Sequence, residues 1–187
     1  IGCIEVSIPG KFGLRCSGMN FLNFPRILMI TLNQGVDVTS GEKIYDVPMH
    51  FRDMTSFEQV WQAWVDTVKF FTPISVTLDN CADYALEMET PDSLCSALVD
   101  DCIKRGKHLK EGGAIYDFIG PLQVGIANLG DSLAAIKKLV FEEKRITPGE
   151  LWDALMSNFE NEGGWRIQQM LLHDAPKYGN DDDYVDK

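Results

Sequence analysis

Ile1-Gly2-Cys3-Ile4-Glu5-Val6-Ser7-Ile8-Pro9-Gly10-Lys11 is the stretch on which the rest of this sequence turns. Ile4, Val6 and Ile8 alternate with Glu5 and Ser7, the period of a short strand, and Pro9-Gly10 then imposes a tight turn. In extended backbone, Cys3 and Glu5 point to the same face. A carboxylate beside a thiol raises the thiol pKa and makes a poor ionic nucleophile. The three histidines, His50, His108 and His173, are all remote in sequence, which disfavours cysteine-protease chemistry unless the fold delivers one. A neutral thiol beside a carboxylate suits another division of labour. The thiol gives up a hydrogen atom, its sulfur radical takes one from a substrate, and the carboxylate moves a proton. Burial in a tight loop is nevertheless the commoner fate of a free cysteine, so spacing alone does not decide.

Outward from this stretch, Gly13 and Gly18 extend an irregular loop to about residue 19. Phe21 to Thr31 is apolar at nearly every position except Asn23 and Arg26, which predicts a buried helix ending near Gly35. Thr55 with Glu58 reads as a capping box for a helix carrying Phe57, Val60, Trp61, Trp64, Val65, Val68 and Phe71 on one stripe. The two tryptophans read as packing residues. Helix is expected to continue over 74–89 after Pro73. Thr90-Pro91 is expected to open another, with Leu94, Leu98 and Cys102 on one face and an end near Gly106. The glycine-rich stretch 111–130 reads as loop, followed by a helix over 131–141. Thr147-Pro148-Gly149-Glu150 is a second capping box, opening a helix with Leu151, Trp152, Leu155, Met156 and Phe159, and a last helix is expected over 164–173.

The 187 residues suffice for a sizeable core, and a net charge of −11 with scattered basic residues argues against a nucleic-acid partner. Lys104, Arg105 and Lys107 fall where a helix should end and read as dipole compensation. No apolar run in these residues is long enough for a transmembrane helix, and no secretory leader is expected among them. The five cysteines (Cys3, Cys16, Cys81, Cys95, Cys102) show no paired metal spacing, which suggests reduced thiols, a cytoplasmic setting and no metal site. Asp79, Asp83 and Glu87 recur every fourth residue and read as a solvated helix face. Gly125 to Gly130 matches neither nucleotide-loop spacing, and Asp181 to Asp183 lacks an EF-hand pattern. A chain that starts at Ile1 inside its own chemical motif reads as an excised internal piece.

The order Gly2-Cys3-Ile4-Glu5, then Pro9-Gly10-Lys11, resembles the active-site loop of the glycyl radical enzymes. The resemblance continues through FLNFPRILMITLN (21–33), Asp101-Cys102-Ile103, Glu111-Gly112-Gly113-Ala114, Tyr116, Phe118 and Gly120-Pro121. It extends over Val124 to Asn128, Gly130 to Leu133, Ala135 to Lys138 and Ala175 to Asp181, covering essentially the whole chain. It implies an α/β fold: residues 1–187 as an internal, mostly helical part of a pyruvate formate-lyase-like domain, within a ten-stranded α/β barrel. Cys3 is implied as the thiyl radical site and Glu5 as the base or proton relay. The implied activity is that of an anaerobic glycyl radical lyase, a dehydratase or decarboxylase cleaving C–C or C–heteroatom bonds.

Pyruvate formate-lyase itself carries two adjacent cysteines where this chain has Gly2-Cys3, which points away from acyl transfer. Diol dehydratases of the family carry a Trp-His-Asp run after the turn. Ser17 stands where its aspartate would fall, which argues against a diol and makes Ser17 a candidate substrate-binding residue. The glycyl radical motif is not within these residues, so the glycyl radical domain is expected outside the chain, no cofactor is expected on it, and the segment alone should be inactive. The implied partners are a small-molecule substrate and an S-adenosylmethionine/iron–sulfur activating enzyme that installs the radical; a homodimeric parent is one arrangement the resemblance allows. The alternative is a non-catalytic helical interaction module or an inactive remnant, which accounts for the tryptophan stripe but not for the ordered motifs.

Overall fold

In the computed structural model, which describes residues 7–13, 20–120 and 122–186, a strand hands directly to a helix at Asn23. Strand β1 (Phe21–Asn23) stops because the Asn23 side chain accepts from the Arg26 N–H at 3.1 Å, capping α1 (Phe24–Leu32) with Pro25 in its first turn. The helix thus starts three residues later than its apolar run suggests. Ile27, Leu28, Ile30, Thr31 and Leu32 are buried, whereas Arg26 faces outward and pairs with buried Asp37 at 2.5 Å. That guanidinium, with the Thr39 N–H, holds the Asp37 carboxyl below its usual range. Gly35 takes a left-handed φ of 83°, and a Cβ there would lie 1.6 Å from the Tyr45 carbonyl oxygen, so the turn after α1 requires glycine.

Helix α2 (Phe57–Glu89) runs unbroken through Pro73, which removes one backbone donor without ending it. Its start differs from expectation by one residue. The Gln59 side chain reaches back to the backbone N–H groups of Thr55 (2.7 Å) and Ser56 (3.3 Å), so Ser56-x-x-Gln59 outcompetes the overlapping Thr55-x-x-Glu58. After α2, Asp92 rather than Thr90 caps α3 (Ser93–Leu98) by accepting from the Cys95 N–H at 2.9 Å. Asp101, at φ 72°, then separates α3 from the one-turn α4 (Cys102–Arg105). The single helix expected up to Gly106 is therefore two, and Leu94 and Leu98 are exposed while Cys102 is buried.

Strand β2 (Leu122–Val124) pairs with β1 in a two-stranded sheet. Helix α5 (Ile126–Ala135) begins five residues earlier than expected, after Gly125 turns the chain at φ 80°, and continues as a π-helix over Ile136–Glu142. The Thr147 box opens α6 (Pro148–Met156) with both reciprocal bonds present. Helix α7 (Gly164–His173) matches its expected span, and α8 (Asp183–Asp186) closes the described chain.

The chain divides into two compact units. The first takes the described residues of Ile1–Leu22 and Phe71–Val124, the second those of Asn23–Phe70 and Gly125–Lys187. The second unit holds most of the apolar core: Leu32, Val47, Phe51, Val60, Leu139 and Leu151 are all buried. The first has a smaller cluster of Cys102, Leu109 and Ala114, with Cys95 and Val99 packed at its edge.

Candidate active-site loop

The segment that follows Cys3 and Glu5 is a turn nailed down at several points. The Ile8 carbonyl accepts from the Lys11 N–H (3.0 Å) and the Phe12 N–H (3.1 Å), with Pro9 and Gly10 between them. Gly10 has φ 70°, the value a type II turn demands at its third residue, so Pro9-Gly10 is the pair this geometry selects. The Gly10 carbonyl then accepts from the Asp100 N–H at 2.7 Å. Phe12 forms a parallel bridge with Tyr116, and the Gly13 N–H donates to the Tyr116 carbonyl at 2.8 Å. The Phe12 side chain is buried, its ring 4.5 Å from that of Phe118 at 36°.

The chain between Asp100 and Tyr116, whose two ends receive this turn, is itself tied down. The Arg105 guanidinium, at the end of α4, donates to the carbonyls of Gly113 and Ala114, each at 3.1 Å. The Leu109 N–H donates to Ser96 Oγ at 2.8 Å. Lys104 and Arg105 lie in the last turn of α4, as their dipole reading requires.

Cys3, Glu5 and Ser17 lie outside the described residues. The structure instead shows what holds the chain on both sides of Ser17. Upstream are the Phe12 and Gly13 contacts. Downstream, Asn20 Nδ2 donates to the Ser75 carbonyl (3.1 Å) and Ser75 Oγ (2.5 Å) on α2. Neither Phe12–Phe118 nor Asn20–Ser75 was visible in the sequence as a pair. Residues this far apart leave no periodic signal, although Phe118 belongs to a family-like run.

Asp79 and Asp83, expected on a solvated face, are buried with Ser75 along one face of α2. Asn20 docks on that face through Ser75, which a spacing argument confined to one helix could not show. Burial pushes the Asp79 carboxyl above its ordinary pKa. Cys95 and Cys102 are not poised as thiolates. The Asp92 hydrogen bond and burial raise Cys95, while burial and Asp101 raise Cys102. Among the described residues no group of three or more His, Cys, Asp or Glu side chains could hold a metal ion, and no helix is long and apolar enough to cross a membrane.

The tryptophan stripe divides. Trp64 is buried edge-on against Phe24 with ring centres 5.4 Å apart, whereas Trp61 is half exposed. Trp61 lines an open cleft of about 550 Å³ in the second unit with Phe57, Ile126, Leu133, Lys137 and Tyr184. The Lys137 ammonium sits 4.8 Å from the Tyr184 ring centre, and the Tyr184 hydroxyl donates to Glu142 at 2.9 Å. Burial and that carboxylate raise the Tyr184 pKa.

The model of the pyruvate formate lyase-like family matches residues 1–187. The chain is 46% identical over 188 residues to the probable dehydratase YbiW of Escherichia coli K12, covering all of this chain and 23% of that protein. A solved structure concerned with 1,2-propanediol dehydration in Roseburia inulinivorans superposes with TM-score 0.83 at 40% identity, over 99% of this chain and 24% of that one. The glycerol-bound B12-independent glycerol dehydratase of Clostridium butyricum gives TM-score 0.77 at 42% identity, over 88% and 20%. Other matches are named as a 4-hydroxyphenylacetate decarboxylase glycyl radical subunit and as isethionate sulfite-lyases. The chain thus spans about a quarter of the length of the curated relatives it matches. Its structural neighbours are glycyl radical enzyme barrels, and it has the mostly helical fold of a segment of that α/β barrel.

Proposed function

This chain belongs to the pyruvate formate lyase-like family, and from that premise we propose that its parent is a glycyl radical lyase whose substrate-attacking thiol is Cys3 and whose proton-handling group is Glu5. The observation that carries the proposal is the match over residues 1–187 to relatives named as dehydratases, sulfite-lyases and a decarboxylase, whose reactions remove a group without a net external oxidant. The anchored Pro9-Gly10 turn supports it, because a radical that must meet one C–H bond needs its loop held in place.

A glycyl radical outside these residues, installed by an S-adenosylmethionine/iron–sulfur activating enzyme, would supply the acceptor for the thiol hydrogen. The Cys3 sulfur then takes a hydrogen atom from a substrate C–H bond, forming S–H and leaving the unpaired electron on carbon. Glu5 exchanges a proton with the substrate as the leaving group departs, and the Cys3 thiol returns its hydrogen atom to the product radical. Atoms balance as loss of HX, or of carbon dioxide from a carboxylate substrate, with Cys3 regenerated. The neighbours named for glycerol and propanediol favour dehydration of a small hydroxylated substrate, with Ser17 as a hydroxyl facing it. Decarboxylation of an arylacetate-like acid is the second reading, favoured by Ser17 in place of the expected aspartate. The setting is the cytoplasm of an anaerobically growing cell.

In the full-length parent, Cys3→Ala should abolish turnover while the glycyl radical still forms. Glu5→Gln should lower kcat by about 10²- to 10⁴-fold. Turnover by Cys3→Ala at the parental rate would overturn the assignment. Vicinal diols and arylacetates assayed side by side separate the two substrate readings.

A further inference from the structure

We propose that Phe118 is a positioning residue for the cysteine-bearing loop, acting through Phe12; this rests on the assignment of Cys3 above. The turn that follows Cys3 and Glu5 meets the 116–118 segment in two different ways. The backbone contacts, Phe12 with Tyr116 and the Gly13 N–H to the Tyr116 carbonyl at 2.8 Å, fix its register. With the Gly10 carbonyl, which accepts from the Asp100 N–H at 2.7 Å, they hold the main chain of the turn but act on no side chain of it. The Phe12–Phe118 ring contact, with centres 4.5 Å apart at 36°, adds a side-chain contact that seats the buried Phe12 ring. Phe12 is 4% exposed, so the turn has a buried end, and Phe118 is the ring lying against it.

Phe118 itself is 48% exposed, so it contributes less to core burial than a fully enclosed ring would. Its replacement should therefore disturb the loop more than the fold. Reaction geometry is the quantity most sensitive to such a change. A misplacement of about 1 Å can slow a reaction by about 10²-fold, and Cys3 must meet both a glycine Cα and a substrate carbon.

Electron paramagnetic resonance of the activated full-length parent in heavy water gives a readout that needs no substrate. The radical glycine carries one α-hydrogen, whose coupling splits the signal into a doublet. Hydrogen exchange with the Cys3 thiol, which carries deuterium in heavy water, replaces that hydrogen and collapses the doublet to a singlet. The collapse rate measures how well Cys3 reaches the glycine.

Phe118→Ala should retain the radical yield and slow both collapse and kcat by about tenfold or more, with KM little changed. Phe118→Leu keeps apolar cover over Phe12 and should slow both by about threefold; it carries the decision if the alanine variant does not fold. Parental collapse rates in the folded variants would overturn the positioning role, as would a fall in melting temperature with collapse unaffected. Cys3→Ser is the control. Collapse at the parental rate in that variant would overturn the Cys3 assignment itself, whereas a silent Cys3→Ser beside parental Phe118 variants would overturn only the role of Phe118.

Discussion

The two halves of α2 are built on opposite principles. From Phe57 to Phe70 the helix buries Val60, Trp64 and Thr67 and turns Glu58, Gln59, Gln62 and Lys69 outward. Beyond Pro73 it buries Ser75, Asp79 and Asp83 and exposes Ile74, Val76, Leu78, Tyr84 and Met88. The first half serves the second unit, which has a conventional apolar core. The other half serves the first unit, where the buried face is polar and further apolar side chains, Leu94, Leu98, Ile103 and Ile115, are exposed. One continuous helix can thus reverse its amphipathicity without changing its backbone, because the partner of each half, not the helix, selects which face goes inside.

Three experiments on the isolated chain can break or sharpen this contrast. The largest effect is expected in the second unit. Leu139 is fully buried in its π-helical stretch, and Leu139→Ala should destabilise that unit by about 2–5 kcal/mol. Urea unfolding followed by tryptophan fluorescence measures it, since Trp61, Trp64, Trp152 and Trp165 all belong to that unit; a loss below about 0.5 kcal/mol, ordinary for a surface site, would contradict it. Next is the exposed apolar surface. An apolar-surface dye such as anilinonaphthalene sulfonate should bind the chain, and joint replacement of Ile74, Leu78, Leu94 and Leu98 by Gln should remove most of its signal while helix content stays unchanged. Undiminished dye fluorescence would place the sticky surface elsewhere.

The smallest effect concerns the buried acid. Burial raises the Asp79 pKa on folding, so the folded chain binds more protons than the unfolded one between the ordinary carboxyl pKa and the raised value. Stability contributed by this group therefore falls as pH rises through that window and stays lowered above it. Asp79→Asn should flatten that part of the pH–stability curve and raise the neutral-pH midpoint. An unchanged curve would show that Asp79 ionises without penalty.

Local signals were legible where one residue type dominated its position. Thr147-Pro148-Gly149-Glu150 opens α6 as its capping box requires, and the span of α7 could be read directly. Errors arose where two signals overlapped or a single backbone angle decided. Ser56-Gln59 displaced Thr55-Glu58 by one residue, Asp92 displaced Thr90, and the left-handed Asp101 split an otherwise helical stretch. Glycine content made 111–130 read as loop, yet Gly130 lies within α5. For the candidate site, Cys3 and Glu5 could be proposed only through resemblance, because the chemistry of a Cys-x-Glu loop is ambiguous by itself. Its docking on Asp100, Tyr116 and Phe118 depends on contacts about ninety residues or more away in sequence, which local patterns do not encode.

The most direct test of the central claim is electron paramagnetic resonance on the full-length parent, prepared without oxygen and treated with its activating enzyme. The account predicts a glycine-centred doublet that persists in the Cys3→Ala variant while turnover vanishes. An absence of any radical, with an activating enzyme shown to work on another target, would contradict it and leave the chain as part of a structural module or an inactive relative.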